Sequence, residues 1–424
     1  MRLPSHVKTF LWGSAIAIAG NIAVGCFNFF VRRTMALSLP QIEYGAFYGY
    51  YSLLSLLLAF TEFGLLNTCS LLTARAPQRA AGPFSAVFLA KTIIGILLFL
   101  LLASSSGIIA TKYLEGVTTA AVLLMGLLVI TQPVEAVFGA YYSGRKAYTT
   151  ATFFNTAKAA MLFGLVFVLS KDWYFSGSAI AFVGVPLVFI PIQLLYLAKH
   201  DGVHLHFRVS SRQWRSLTGV TGSLAFVTMA QNILFNMDSV MLTAIRGVEA
   251  TALYNIALPI TQLIFAMLVF ANVFLPIAVD LVKTGSYPQL RRYCYVAVAV
   301  AVPAAVAAWI FMKFFGGWLI GFLFSNANQG AAIVLPSLCA GFIFYGLGSF
   351  LAQILTAMRN FRALVGISIF TVGCNVLLNF LLIKKYGLTG AAWATASSYC
   401  IFAILTVVLL LLTIRRKQSE DSQP

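Results

Sequence analysis

Charged side chains are scarce in this sequence of 424 residues, and acidic ones are the scarcest. Lys, Arg, Asp and Glu make up 9% of the chain, and only 11 residues are acidic. Soluble domains carry about 25% charged residues, so this composition excludes a soluble protein. Long polar segments are missing too, since every loop between apolar runs is about 15 residues or shorter. No soluble domain is left for conventional catalysis, and no large outer loop for a membrane-embedded glycan ligase or polymerase. We therefore expect no enzyme activity.

Motifs for nucleotides, metals and disulfides are also missing. No GxxxxGK[ST] pattern occurs, which excludes transport driven directly by ATP in this chain unless a partner supplies the motor. The six cysteines stand singly without a CxxC pair, so the sequence predicts no disulfide framework, metal site or cofactor. His200, His204 and His206 accompany Asp201 in the longest polar loop, 199–213. A solvated loop is the plainer interpretation there than a metal or regulatory site.

Apolar runs dominate what is present. Hydrophobic residues make up 60% of the chain and the mean hydropathy is +0.91. A helix needs roughly 20 apolar residues to cross a bilayer, and continuous runs favour helices over the short alternating strands of a barrel. The sequence predicts an all-α polytopic membrane protein with about twelve transmembrane helices, at 10–38, 41–73, 83–111, 117–144, 149–170, 175–198, 214–245, 250–282, 292–315, 330–358, 361–383 and 388–414. After the ninth span, residues 316–324 are either an extension or an interfacial segment.

The two halves repeat one plan of six spans. At an offset of 213 residues Lys146 aligns with Arg359, and the alignment runs without a gap to Ala181 and Ala394. Identical pairs on this register are Leu165/Leu378, Leu169/Leu382, Lys171/Lys384, Gly177/Gly390, Ala179/Ala392 and Ala181/Ala394. A second register, offset by 206, pairs Met35/Met241, Glu43/Glu249, Ala46/Ala252 and Tyr48/Tyr254.

This repeat defines the predicted domains. Residues 1–198 form an N-terminal bundle, 199–213 a cytoplasmic linker, and 214–424 a C-terminal bundle with a short basic tail. Duplicated membrane proteins usually carry substrate between their repeats, which indicates a transporter.

Basic residues are distributed unevenly across the predicted membrane. With a cytoplasmic N-terminus, 18 Lys and Arg lie in cytoplasmic segments and six outside. This positive-inside bias places both termini in the cytoplasm. It accounts for the net charge of +17 without a nucleic-acid partner. The apolar run from Phe10 to Val31 is too long for a cleaved signal core, so we interpret it as the first span.

Charges inside the spans are the remaining signal. Each costs about 2.5–3.5 kcal/mol at a helix centre, so such groups are seldom idle. The cations are Arg32, Arg33, Lys91 and Lys158, and the anions are Glu62, Glu135 and Asp238. All four cations fall in the N-terminal half. A path lined by cations suits an anionic substrate, and Arg binds phosphate through a planar fork of donors.

The alternative to substrate binding is that these cations and anions form structural ion pairs with one another. Glu135 and Lys158 lie at similar depth on a helical hairpin and can neutralise each other. Arg32 and Asp238 hold equivalent positions in the second register; they can pair, and that pair would act as an outer gate. Glu62 and Lys91 are a poorer match in depth. If all three pairs form, Arg33 alone is left over. The acidic residues Asp238, Glu62 and Glu135 are thus candidates for gating or coupling.

Several motifs carry a family resemblance that covers nearly the whole chain. The clearest is the stretch KKYGLTGAAWAT at 384–395, entering the last span. The turn Gly45-Ala46-Phe47-Tyr48 after span 1 and the basic turns after spans 4 and 10 also fit. The chain resembles lipid-linked oligosaccharide flippases of the Wzx (O-antigen translocase) type, within the multidrug/oligosaccharidyl-lipid/polysaccharide exporter superfamily.

The resemblance implies two pseudo-symmetric six-helix bundles around a central cavity. It implies movement of undecaprenyl-diphosphate-linked glycans across the bacterial inner membrane by alternating access. It also implies that cations in the cavity matter, and Arg32, Arg33, Lys91 and Lys158 are candidates by position. Expected partners are the lipid-linked substrate, membrane lipids, a polysaccharide polymerase and other glycan-assembly proteins, with a monomer as the transport unit.

Two rivals belong to the same superfamily. A cation-coupled multidrug antiporter would need an acidic cavity, which Glu62, Glu135 and Asp238 could furnish; the surplus of cations argues against it. A lipid II flippase usually carries two further spans, for which 424 residues leave no room.

Overall fold

The computed structural model describes residues 5–61, 64–206, 222–267 and 270–421, and every regular element among them is helical. The chain divides into two compact units, Met1–Ala225 and Phe226–Pro424. The predicted linker, 199–213, runs into residues 207–221, which lie outside the described residues. The predicted domain boundaries therefore stay a prediction.

The N-terminal unit contains seven described α-helices: α1 (Ser5–Ser38), α2 (Gln41–Ala59), α3 (Leu65–Arg75), α4 (Ala81–Ile108), α5 (Thr119–Gly126), α6 (Leu128–Arg145) and α7 (Tyr148–Tyr196). Helices α4 and α7 each end in a π-helical turn, Ile109–Tyr113 and Leu197–Asp201. Aromatic side chains fill the core of the N-terminal unit, where Phe84, Phe138, Tyr141 and Phe154 are all buried.

The described helices of the C-terminal unit are α8 (Gly222–Arg246), α9 (Val248–Met267), α10 (Phe270–Lys283), α11 (Tyr287–Phe324), α12 (Leu335–Ala357) and α13 (Phe361–Asp421). A 3-10 helix, Asn326–Ile333, precedes α12. The core of the C-terminal unit is largely aliphatic, with Leu351, Ile354, Leu355 and Leu410 fully buried.

The predicted spans agree with these helices, with informative differences. Six helical segments of the described residues are long and apolar enough to cross a membrane, which confirms an all-α polytopic protein. The second span divides at Gly64, whose φ of 72° precedes α3. Residues 316–324 extend α11 as a continuous helix. Gly45 to Tyr48, predicted to be a turn, lie inside α2; that prediction was wrong because the chain bends earlier, at Leu39-Pro40.

Helices α7 and α13 each contain a sharp reversal. The non-helical residue is Tyr174 (φ 44°, ψ −121°) in α7 and Gly387 (φ 59°, ψ −129°) in α13. Beyond Tyr174 the chain folds back, so that the Phe154 ring lies 5.4 Å from the Tyr196 ring. Beyond Gly387 it does the same, and Asn360 Nδ2 donates to Thr413 Oγ1 at 3.0 Å. Each helix is therefore a hairpin of two predicted spans.

These reversals confirm the 213-residue repeat, because Tyr174 and Gly387 are equivalent positions on it. So are Lys146 and Arg359, and both have φ of 57°. The ammonium of Lys171 lies 4.3 Å from the Phe167 ring centroid, and that of the equivalent Lys384 lies 3.7 Å from the Phe380 centroid. The repeat is thus a property of the backbone as well as of the sequence.

Gly177 and Gly390, which are identical residues on this register, are both required by close backbone packing. A Cβ at Gly177 would collide with the Leu169 carbonyl, and one at Gly390 would collide with the Leu382 carbonyl. Each glycine lets the second arm of its hairpin pass close to the first.

The predicted cytoplasmic loops of the N-terminal unit meet at one end of it. Arg145 Nη2 lies 3.7 Å from Asp201 Oδ1, and Arg145 Nη1 donates to the Pro77 carbonyl at 3.4 Å. Tyr141 also donates to Asp201, at 3.0 Å. The loops after the second, fourth and sixth predicted spans therefore lie at the same end of this unit, and their cytoplasmic orientation stays a prediction.

Candidate functional site

Arg32 stands near the end of α1 and faces an aromatic side chain of α2. Its guanidinium carbon lies 4.7 Å from the centroid of the Tyr48 ring, a cation–π geometry. The Tyr48 hydroxyl is directed elsewhere and donates to the Met35 sulfur at 3.6 Å. Tyr48 therefore offers Arg32 the face of its ring and no oxygen.

The Arg32 guanidinium is not saturated with acceptors. Its Nη1 is buried, and among the described residues it has no hydrogen-bond partner. A buried donor left without an acceptor costs about 1–3 kcal/mol, more when charged. An anion brought to this nitrogen would remove that penalty. Arg33 follows on the same helix and is partly buried.

Asp238 stands on α8 in the C-terminal unit and has the opposite surroundings. Its side chain is 3% exposed. Oδ1 accepts hydrogen bonds from Asn375 and Asn379, and Oδ2 accepts from Thr395 at 2.6 Å and from Tyr254 at 3.0 Å. Four donors thus compensate this buried carboxylate within its own unit.

The second repeat register makes these two sites equivalent. Arg32 and Asp238 differ by 206 positions, as do Tyr48 and Tyr254, so each unit sets a charged residue beside the same tyrosine. The first-register equivalents of Asn375, Asn379 and Thr395 are Leu162, Val166 and Phe182. Polar residues that serve the carboxylate in one unit are thus apolar in the other, which agrees with the unsaturated guanidinium of Arg32.

Lys158 and Glu135 form an ion pair between α7 and α6, as the sequence suggested. Glu135 Oε1 also accepts from Gln193 on the returning arm of α7, at 3.4 Å. One carboxylate therefore joins both arms of the hairpin to α6. Lys158 and Glu135 are 16% and 21% exposed, so the pair is only partly buried.

Lys91 is fully buried in α4 and donates to the Thr61 carbonyl at 3.3 Å. Glu62, its predicted partner, lies outside the described residues, so that pairing stays a prediction. The contact with Thr61 brings Lys91 to the break between α2 and α3. The predicted pair of Arg32 with Asp238 also stays a prediction, since each has the contacts described above in its own unit.

Two functional-looking contacts were not found from the sequence. Glu43 Oε2 accepts from the Phe175 backbone N–H at 2.8 Å, directly after the reversal at Tyr174. Arg246 donates from Nε to the Ile383 carbonyl at 3.1 Å and from Nη2 to the Lys384 carbonyl at 2.6 Å, just before the reversal at Gly387. For the Glu43 contact, the sequence offered one indication, the alignment of Glu43 with Glu249. This alignment cannot show that one carboxylate caps a helix and the other is exposed.

The histidine loop shows separate contacts. The His200 ring stacks on Tyr196 at 4.3 Å, and the His206 N–H donates to Ser85 Oγ at 3.0 Å. Within the described part of the chain, no group of three or more His, Cys, Asp or Glu side chains could hold a metal ion.

An all-helical, multi-pass membrane protein with a duplicated plan and charges held within its helices has the construction of a membrane transporter. Residues 10–282 match the family model described as "Polysaccharide biosynthesis protein". The chain belongs to this family.

One relative is the capsular polysaccharide biosynthesis protein CapF of Staphylococcus aureus, 25% identical over 208 residues. That match covers 48% of this chain and 52% of CapF, so the chain matches about half of that relative's length. Among solved structures, an inward-facing MATE family multidrug resistance transporter aligns with a TM-score of 0.75 at 14% identity, covering 94% of this chain and 96% of that one. The lipid II flippase MurJ, inward closed, aligns with a TM-score of 0.75 at 15% identity, covering 94% and 87%. These likenesses show the fold.

Proposed function

We propose that this protein is a flippase that moves an undecaprenyl-diphosphate-linked oligosaccharide, the repeat unit of O-antigen or another surface polysaccharide, across the bacterial inner membrane. Transport would proceed by alternating access between the two repeats, with both termini in the cytoplasm and without catalysis. The family and the CapF relative support a role in polysaccharide biosynthesis. The fold is shared with transporters that include a lipid flippase, which supports transport of a lipid-linked substrate.

The observation that carries this proposal is the state of Arg32. Its buried Nη1 has no acceptor among the described residues, while the equivalent carboxylate in the other unit has four donors. Passage of a diphosphate through hydrocarbon is prohibitive without compensating partners. Arg presents a fork of donors that matches phosphate oxygens. Arg32 therefore supplies an unmet donor for a diphosphate, with Arg33, Lys91 and Lys158 as further candidates, and the polyprenyl tail would remain in lipid.

The acidic residues are assigned to gating and coupling. Asp238 is proposed as the coupling group, because it is a buried carboxylate within a predicted span, and buried acids in membrane helices are typical of ion-coupling sites. Glu135 would gate through its pair with Lys158, and Glu62 stays a candidate for the same role. A cation-coupled multidrug antiporter would need such acids available to its substrate. Here Glu135 and Asp238 are already engaged by neighbours, which favours the flippase.

The expected partners of the transport step are glycan-assembly proteins. A polysaccharide polymerase would use the oligosaccharide once it reaches the outer leaflet. Membrane lipids surround the transport unit, proposed to be a monomer, and no nucleic acid is involved.

The test is replacement of Arg32 in cells that depend on this protein for surface glycan. Arg32→Gln should lower glycan display and cause lipid-linked oligosaccharide to accumulate on the cytoplasmic side. Arg32→Lys should retain part of the display, because it keeps the charge and loses the fork. Lys112→Gln, an exposed cation in a predicted outer loop, is the matched control. Normal glycan display in Arg32→Gln at normal protein level would refute the role of Arg32.

A further inference from the structure

A small pocket at one end of the C-terminal unit combines two guanidinium groups with an apolar wall. It encloses about 220 Å³ between the first turns of α11 and the last turns of the second arm of α13. Its lining residues are Arg291, Tyr295, Val408, Leu411, Leu412 and Arg415.

The polar half of the pocket is cationic. Arg291 and Arg415 are exposed, and the ion pairs between side chains that the structure describes include neither of them. The Arg291 guanidinium carbon lies 5.9 Å from the Tyr295 ring centroid. Two guanidinium groups at one opening, with no acid between them, attract an anion with oxygen acceptors.

The other half of the pocket is apolar and lies at the surface of the unit. Val408, Leu412 and Tyr295 are 46%, 53% and 55% exposed, on segments long and apolar enough to cross a membrane. Tyr is typical of the membrane–water interface. The ligand should therefore carry an anionic group attached to hydrocarbon.

The position of the pocket indicates which leaflet supplies that ligand. The charge distribution predicts that Arg291 and Arg415 both lie on the cytoplasmic side, in segments more than a hundred residues apart. The structure brings the two segments to one pocket, so they share one side of the membrane. Anionic headgroups of the cytoplasmic leaflet attract such basic sites.

We propose that this pocket binds the phosphate headgroup of an anionic phospholipid from the cytoplasmic leaflet. Arg291 and Arg415 hold the phosphate, and the acyl chains lie along Val408, Leu411 and Leu412. Pockets for complete drug-sized ligands measure about 300–1,000 Å³. A pocket of 220 Å³ therefore takes the headgroup and leaves the chains in the bilayer. The site involves none of the charges assigned to the transported substrate, so it stands apart from the proposed flippase activity.

Native mass spectrometry of the full-length protein in detergent tests this assignment, with phosphatidylglycerol as the anionic probe and phosphatidylcholine as its zwitterionic counterpart. The double variant Arg291→Gln/Arg415→Gln should bind phosphatidylglycerol about a hundredfold more weakly, since a direct hydrogen bond from a charged guanidinium to a phosphate oxygen contributes roughly tenfold. The matched control is Arg292→Gln/Arg416→Gln, which removes the same charge from neighbouring positions outside the pocket lining. It should keep wild-type affinity.

A second variant keeps both arginines and tests the apolar half. Leu412→Trp should weaken the binding of phosphatidylglycerol, because the larger side chain fills the part of the pocket that receives the acyl chains. The substitution keeps an apolar surface toward lipid, so folding is preserved. Glycerol phosphate, the water-soluble headgroup, should compete poorly because it lacks acyl chains. Equal loss in the two double variants, or equal binding of phosphatidylcholine and phosphatidylglycerol, would overturn the site. Effective competition by glycerol phosphate would assign the pocket to a free phosphate, and stronger binding of undecaprenyl phosphate would assign it to the polyprenyl carrier; either result rejects the phospholipid.

Discussion

The carboxylate of Glu43 caps the second arm of the α7 hairpin, accepting the Phe175 N–H at 2.8 Å. Phe175 is the first residue after the reversal at Tyr174, so its N–H is one of those that a helix start leaves without an intrahelical partner. A residue of α2 therefore holds in place a turn more than 130 positions later in the chain.

Removal of this cap should destabilise the N-terminal unit. Glu43→Ala leaves the buried N–H without an acceptor, which costs about 1–3 kcal/mol, measured as a lower midpoint of thermal unfolding in detergent. The control is Glu249→Ala, at the equivalent and exposed position of the other unit, which should change stability by less than about 0.5 kcal/mol. Equal effects of the two substitutions would show that Glu43 does not act as a cap.

Glycine should be the more stable residue at both reversals. Tyr174 holds φ of 44° and ψ of −121°, a region that favours glycine and costs other residues about 1–3 kcal/mol. Tyr174→Gly should therefore raise the unfolding temperature, while Gly387→Ala should lower it. The Tyr174 side chain is 44% exposed, so little packing is lost. A fall in stability for Tyr174→Gly would mean that its ring contributes more than the backbone strain.

The ion pair of Lys158 and Glu135 should behave as a unit. Lys158→Met leaves the Glu135 carboxylate with only the Gln193 amide, and loss of one partner of a buried pair costs about 3–5 kcal/mol; with both side chains about a fifth exposed, the lower value applies. The double variant Lys158→Met/Glu135→Gln should recover most of this stability. A double-mutant cycle from unfolding in detergent measures the coupling, and additive effects would argue against the pair.

Measurement of glycan display distinguishes a structural role of the ion pair of Lys158 and Glu135 from a role in gating transport. If it serves only to join α6 to the α7 hairpin, the double variant should restore display together with stability. If it gates transport, display should stay low in a protein that is again stable. The second result is the one we expect from the proposed function.

Asp238 should prove more important for transport than for folding. Asp238→Asn keeps the size of the side chain and removes the charge, which sacrifices charge-assisted hydrogen bonds and at the same time removes the cost of burying a carboxylate. We expect a change in stability below about 1 kcal/mol and a large fall in glycan display. Asp280→Asn, at an exposed acid of α10, is the control. Normal display in Asp238→Asn would remove Asp238 from the coupling role.

Much of the fold follows from the sequence because the bilayer restricts the solutions. Apolar runs of the right length predict helices, and the repeat predicts that hairpins recur at Lys146/Arg359 and Tyr174/Gly387. The break of the second span at Gly64 was not predicted, although Thr61 and Glu62 interrupt the apolar run just before it. A hydrophobic run reports the solvent around a helix and gives little information on where the backbone bends.

The candidate site was only partly predictable. The contact of Lys158 with Glu135 was predictable, because a short turn joins α6 to α7 and therefore fixes how deep each residue lies in the membrane. The shell of Asp238 joins residues of α8, α9 and both arms of α13, and contacts between distant helices depend on rotation about each axis. Asn375 and Asn379 are conspicuous as polar residues in an apolar span. Their common acceptor became visible only in the folded unit.

Reversal of charge at one repeated position has a consequence for the construction of the chain. A symmetric dimer made of two first units would present two guanidinium groups beside its tyrosines, and a dimer of two second units would present two carboxylates. Neither would contain both signs. Because the repeated position holds Arg32 in one unit and Asp238 in the other, neither unit can replace the other, and a single chain carrying both repeats is the smallest form that has both charges.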